Sequence, residues 1–223
     1  MIIDILSLFP PMFTGPFDYS IVKRAIENKI LDIRLVDIRG FAMDKYRSVD
    51  DKPYGGGVGM IMRVDIIDRA INNVKSQMSN QIQRSKVILL DAGGEKFTQK
   101  KAVELAKEEH LIIICGHYEG VDHRVHEHLA DEIISVGDYV LSGGEIPAMI
   151  LVDSITRLLP GSLGNPQSLS EESFSHNSQL TTEYPQYTRP EEYNGWKVPE
   201  ILLSGDHKKI KDWRALKDLS NNH

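Results

Sequence analysis

The chain has 223 residues, of which 41% are hydrophobic, enough for a packed core and too many for a disordered polymer. Its longest apolar runs, such as Leu111–Cys115 and Ala148–Val152, are far too short to cross a bilayer, so no membrane partner is expected. The net charge of −6 speaks against a surface that is basic throughout. Basic clusters exist all the same: Lys208, Lys209, Lys211, Arg214 and Lys217 near the C-terminus, and Lys45, Arg47, Lys52 and Arg63 around a glycine-rich loop. Cys115 is the one cysteine, which excludes an intramolecular disulfide and fits a reducing cytoplasm. No basic segment followed by an apolar run opens the chain, so no signal peptide is expected.

In chain order, Ile2–Phe9 reads as a short buried strand. Asp18 is placed to cap a helix running to about Lys29, with Ile21, Val22, Ala25 and Ile26 on one face. Leu31–Ile38 alternates apolar and charged residues, as a half-exposed strand does. Residues 41–63 form a long polar, glycine-rich loop, whose length points to function. An amphipathic helix over Asp65–Met78 and a polar linker over Ser79–Ser85 precede a regular alternation: strand Lys86–Asp91, helix Gln99–Glu108, strand Leu111–Gly116, helix Asp122–Leu129, strand Ile133–Val136, helix Ile146–Leu159. Alternating elements with nearly continuous apolar strands predict an α/β architecture around a parallel sheet. Pro160-Gly161 ends that pattern. The expected division is a first domain over 1–161, a flexible linker rich in Ser, Asn, Gly and Glu over 162–178, and a small C-terminal domain over 179–223 with a basic helix from about His207 to Leu219.

Several segments carry chemistry. Pro53-Tyr54-Gly55-Gly56-Gly57-Val58-Gly59 lets backbone amides approach an anion, but Met60-Ile61-Met62 follows, so it is no Walker loop. Its neighbours Arg47, Asp50, Asp51, Lys52 and Arg63 point to a phosphate or a base. Gly116-His117-Tyr118-Glu119-Gly120 directly follows an apolar strand, where ligands of open α/β sheets bind. Val136 to Pro147, reading V-G-D-Y-V-L-S-G-G-E-I-P, is glycine-dense and leads into a helix whose N-terminus suits Glu145. Together the two segments suggest two walls of one pocket. His117, His123, His126 and His128 match no zinc spacing, and a solvated helix face accounts for them better than a metal. Asp153 and Arg157 stand four apart on a helix, and Glu171-Glu172 lies in the linker.

In combination, these residues resemble the bacterial tRNA (guanine-N1)-methyltransferase family, the TrmD type of SPOUT or trefoil-knot methyltransferases. The likeness runs from Ser7-Leu8-Phe9-Pro10 through Val49-Asp50-Asp51, Gly116–Gly120 and Gly137–Glu145 to Tyr187-Thr188-Arg189-Pro190, Leu202–Gly205 and Trp213-Arg214. The resemblance implies a parallel-sheet SPOUT domain with a deep trefoil knot and a mainly helical C-terminal domain. It also implies transfer of a methyl group from S-adenosylmethionine to N1 of guanosine 37 of tRNA. S-adenosylmethionine would touch Leu89, Leu90, Asp91 and Gly93; Gly116, Tyr118, Glu119 and Gly120; and Val136, Gly137, Asp138, Tyr139, Val140, Leu141, Gly143, Gly144 and Pro147. The tRNA would meet Arg24, Arg47, Asp50, Tyr54, Gly57, Gly59, Arg189, Lys208 and Arg214. The enzyme would be a homodimer with its active site at the subunit interface. Mg2+ takes part in the family's reaction, with no site that this sequence locates.

The residue types suit the reaction. N1 of neutral guanine carries a proton, and its removal leaves negative charge spread toward O6, so a carboxylate base and a fixed guanidinium are wanted. By resemblance the guanidinium is Arg157. The family's base is an aspartate, and Glu172 stands at the matching position, with Glu171 as a weaker candidate. Other departures are His117 where arginine is common, Val58 where proline is common, Leu90-Asp91-Ala92-Gly93-Gly94 in place of a Ser-Pro form, and a short C-terminal domain.

Overall fold

Strands that are apolar on both faces need cover on both sides, and the computed structural model provides it. Residues 1–78, 84–164 and 184–217 are described. The chain divides into two compact units, Met1–Gly164 and Asn165–His223.

The first unit contains β1 (Ile2–Ser7), α1 (Ser20–Glu27), β2 (Asp32–Asp37), the two-residue strands β3 (Asp50–Asp51) and β4 (Ile61–Met62), and α2 (Val64–Ser76). It continues with β5 (Lys86–Lys96), α3 (Gln99–Leu105), β6 (His110–Cys115), α4 (His123–His128), β7 (Glu132–Ser135) and α5 (Glu145–Leu158). Five strands form one sheet in the order β2-β1-β6-β5-β7, and every pairing in it is parallel. Successive side chains of a strand point to opposite faces, and the core divides accordingly. Ile3, Ile5, Ile88, Leu90, Leu111 and Ile113 pack with residues of α1, α3 and α5. Leu6, Val87, Leu89, Ile112 and Ile114 pack with residues of α2 and α4. Edge strand β2 is half-exposed as expected but does not alternate strictly: Ile33 and Val36 are half-buried, and Leu35 is exposed.

The structure departs from sequence expectation in a few places. Asp18 does not cap α1. Its carboxylate accepts from the Gly15 amide at 2.9 Å, and extended Tyr19 precedes the helix without a side-chain cap. Asp122, by contrast, caps α4 by accepting from the Arg124 amide at 3.0 Å. The glycine-rich loop is not featureless: β3 and β4 close it as an antiparallel pair. β5 runs five residues past the expected end at Asp91, because its ladder breaks between Leu90 and Glu95, which both pair with Ile134. Gly94 stands in that excursion, and a Cβ there would lie 2.7 Å from the Ile133 and Ile134 backbone.

Polar groups inside the sheet are paired. His110 Nε2 is 2.7 Å from Asp4 Oδ2 and its Nδ1 is 2.7 Å from Ser85 Oγ. At the other edge, Glu132 meets Lys86 at 2.7 Å and Lys101 at 3.2 Å. Burial raises the Glu132 carboxyl pKa, but the two ammonium groups more than offset this and hold it below its ordinary value. A carboxylate depressed on folding stabilises the protein above its unfolded pKa, about 4.3, and that contribution is lost as pH falls through the lower folded value. Glu132→Gln is therefore expected to lower stability near neutral pH by roughly 1–3 kcal/mol and to reduce the stability lost on acidification. Urea unfolding at several pH values reads both effects.

In the second unit, β8 (Glu192–Tyr193) and β9 (Trp196–Lys197) form an antiparallel hairpin, followed by α6 (Glu200–Leu203) and α7 (His207–Leu216). Asp206 caps α7 by accepting from the Lys209 amide at 3.1 Å. The hairpin adds a small sheet to a domain expected to be mainly helical. The expected linker 162–178 falls mostly outside the described residues.

Candidate active site

β6, β5 and β7 are neighbours and parallel, so their carboxyl ends open on one edge. The chain there enters loops that cannot continue the ladder. Tyr118 adopts a left-handed φ of 62° and Gly120 a φ of 124°, which turns the segment after β6 back on itself, with the Gly120 amide donating to His117 O at 3.1 Å. The Gly144 amide donates to Gly116 O at 3.0 Å, which joins the segment before α5 to the segment after β6. A Cβ on Gly144 would lie 2.6 Å from Cys115 Cα, so the close approach depends on glycine.

The result is a cleft. Of the residues expected to hold a cofactor, Leu90, Asp91, Gly116, Tyr118, Glu119, Gly120, Val136, Gly137, Tyr139, Val140, Leu141, Gly143, Gly144 and Pro147 line it. Three others do not. Leu89 is fully buried on the α2 side of the sheet. The Gly93 amide is turned to Asp91 Oδ1 at 2.8 Å. Asp138 pairs with Lys96 at 2.5 Å, with both side chains exposed. Ala92 and Ser142, within the segments that the sequence singles out, also line the cleft, as do Val121, Ile134 and Ser135, which lie outside them. His117 lines it too, with Nε2 2.7 Å from Glu145 Oε2. The signal for His117 was its place within the glycine motif.

The glycine-rich loop is anchored to the same wall. The Met62 amide donates to Gly120 O at 3.0 Å, the Asp122 amide to Met62 O at 2.9 Å, and the Glu119 amide to Met60 O at 3.1 Å. Gly59, with φ +81°, faces Glu119, whose Cγ would lie 2.3 Å from an added Cβ. Further along the loop Gly57 has φ +141° and Tyr54 is fully exposed. Arg63 donates twice to Asp65 at 3.0 Å, so part of the loop's positive charge is already matched. Lys45, Arg47 and Lys52 lie exposed.

Among the other expected tRNA contacts, Asp50 pairs with Met62 at the loop's base, and Arg24 is exposed on α1. In the second unit Arg189 and Lys208 are exposed, and the Arg214 guanidinium lies 4.4 Å from the centre of the Tyr184 ring. Arg157 is half-buried in the last turn of α5, four residues after exposed Asp153. Glu171 and Glu172 lie outside the described residues. Among the described residues no helix is long and apolar enough to cross a membrane, and no group of three His, Cys, Asp or Glu side chains is placed to hold a metal ion.

A parallel α/β sheet with a glycine-walled cleft at its carboxyl edge is the arrangement in which open α/β proteins hold their ligands. Comparison with known proteins narrows this. A sequence model described as tRNA (Guanine-1)-methyltransferase TrmD matches residues 1–223, and the chain belongs to that family. It is 52% identical to the tRNA (guanine-N(1)-)-methyltransferase of Geobacillus kaustophilus over 219 residues, covering 98% of this chain and 87% of the relative. It is 51% identical to that of Desulforamulus reducens, covering 98% of this chain and 84% of the relative. Among solved structures it is similar to the tRNA (m1G37) methyltransferase of Aquifex aeolicus, with TM-score 0.80 and 39% identity, covering all of this chain and 91% of that one.

Proposed function

We propose that this tRNA (guanine-N1)-methyltransferase takes its methyl group from S-adenosylmethionine held in the cleft between the loops after β5, β6 and β7, and delivers it to N1 of guanosine 37 of tRNA. The observation that carries this reading is the cleft itself. Leu90, Ile134, Val136, Leu141 and Pro147 offer an apolar slot suited to an adenine ring. Asp91 and Glu119 offer carboxylates for hydroxyl and ammonium groups, and the glycines expose backbone donors and acceptors.

When bound, the cofactor supplies a sulfonium methyl that a nucleophile can take. The chain supplies the nucleophile's activation. Glu172 takes the N1 proton of guanine, and Arg157 donates to O6, where the negative charge collects. The loop 52–60 places the base, and Arg47, Arg189, Lys208 and Arg214 hold the phosphate backbone. Among the described residues no three His, Cys, Asp or Glu side chains are grouped to hold Mg2+.

The active site is assembled across a homodimer, with Arg157 from one subunit and Glu172 from the other. Phe9, Met12, Ile146 and Ile150 are exposed apolar side chains that a partner subunit would cover. The deep trefoil knot is part of the same proposal and rests on the family likeness alone. A cytoplasmic setting suits Cys115, whose thiol is pushed well above its ordinary pKa by burial and by nearby Glu145, and so is inert.

The test is methyl incorporation from labelled S-adenosylmethionine into tRNA transcripts carrying guanosine or adenosine at position 37. Labelling of the first transcript alone is expected. Equal labelling of both would move the target elsewhere, and a binder without turnover would label neither.

A further inference from the structure

One polar cluster at the cleft is not accounted for by cofactor contact or proton transfer. Glu145 is only 1% exposed, and a buried carboxylate is costly unless each oxygen is satisfied. Here both are. Oε1 accepts from the Ser7 hydroxyl at 2.6 Å, and Oε2 lies 2.7 Å from His117 Nε2. Ser7 Oγ in turn accepts from the Phe9 amide at 2.8 Å. Three separate segments therefore meet at one side chain: the end of β1, the loop after β6, and the start of α5. The first turn of α5 favours the negative charge.

The packing around the cluster is shaped to it. A Cβ on Gly143 would lie 2.3 Å from the His117 ring and 2.7 Å from Glu145 Oε2, so that glycine leaves room for the ring to reach the carboxylate. The Phe9 ring meets His117 edge-on at 5.0 Å, and the His117 amide donates to Met62 Sδ at 3.2 Å. His117 and Gly143 line the cleft, whereas Glu145 and Ser7 do not.

We propose that Ser7, Glu145 and His117 form a chain of positioning residues that locks the loop Gly116–Gly120 against Gly143-Gly144 and so sets the affinity for the methyl donor. Glu145 and Ser7 touch neither substrate nor cofactor; they act through His117. The carboxylate needs a donor at position 117, not an imidazole as such. His117 Nε2, 2.7 Å from Glu145 Oε2, is the ring nitrogen placed to donate to the carboxylate. A glutamine amide can present its own N–H group to the same oxygen, whereas leucine fills similar space and presents none.

The inference rests on the cleft's being the S-adenosylmethionine site, and the experiment separates the two claims. Calorimetry with S-adenosylhomocysteine is run on the full-length wild type, His117→Leu, His117→Gln and Ser7→Ala. Failure of the wild type to bind would refute the cofactor assignment and with it the role of these three residues. Given wild-type binding, His117→Leu should weaken affinity roughly tenfold or more, as for loss of a charge-assisted hydrogen bond. His117→Gln should return to within about threefold. In turnover assays the leucine variant should show the loss in KM for S-adenosylmethionine, with kcat at saturation nearly kept. Leucine and glutamine variants that bind alike would overturn the proposal. Should His117→Leu fail to fold, Ser7→Ala decides: a loss of about two- to fivefold is expected from freeing one carboxylate oxygen, and unchanged affinity would overturn it.

Discussion

Arg157→Ala is expected to lower turnover by roughly 10²–10³-fold, the usual cost of removing a donor aimed at developing negative charge, while affinity for S-adenosylmethionine changes by only a few-fold. The asymmetry follows from where Arg157 sits. It belongs to the last turn of α5, on none of the loops that wall the cleft. Its proposed partner, O6 of the target base, gains charge only as N1 loses its proton, so the interaction strengthens in the transition state. Single-turnover kinetics with guanosine-37 tRNA, set beside calorimetry with S-adenosylhomocysteine, measures both quantities. Equal losses in the two would assign Arg157 to the cofactor and remove it from the chemistry.

Glu172→Gln is expected to slow turnover by about 10²–10⁴-fold, the range of general base catalysis. A base acts only when ionised, so wild-type turnover should rise with pH through the carboxyl's titration and then level. Glutamine has no proton to lose, so the variant's rise should flatten as well as fall. Glu171→Gln should have little effect by comparison. A pH–rate profile of Glu172→Gln parallel to that of the wild type would transfer the base role to another group.

Much of the fold follows from local pattern. The run Leu111–Cys115 is apolar without interruption and is buried without interruption, and the helix periodicity of residues 65–76 places Ile66, Ile67, Ala70, Ile71 and Val74 in the core. The same uniformity hides which face a residue takes. Leu89 and Leu90 look alike in an apolar strand, yet Leu90 reaches the cleft and Leu89 packs under α2. The excursion in β5 was not legible because two glycines after Asp91 read equally well as the strand's end. β3 and β4 are two residues each and owe their pairing to partners across a loop, which no local window contains.

The site divides in the same way. The glycine motifs at 116–120 and 137–144 mark the cleft because Gly120 and Gly137 take positive φ and Gly144 lets its backbone pass close to Cys115. Glu145 reads in the sequence as a helix N-terminal acid, and it stands in the first turn of α5. Its burial, however, depends on Ser7, 138 residues away, and on His117, 28 residues away. Such long-range pairing leaves no trace in spacing. Arg157 and Glu172 were assigned through likeness to a family, since an arginine four residues from an aspartate and an acidic pair in a polar segment are each ordinary on their own.

The central claim is that one subunit's guanidinium and the other's carboxylate complete a single active site. Mixed dimers of Arg157→Ala and Glu172→Gln chains test it most directly, because in a twofold-symmetric dimer one of the two sites then receives both intact groups. Each variant alone should be nearly inactive, and random mixing should restore about a quarter of wild-type turnover, since about half the dimers are mixed and each has one good site. A mixture no more active than its parents, in preparations shown to exchange subunits, would place both groups in the same chain and contradict the account.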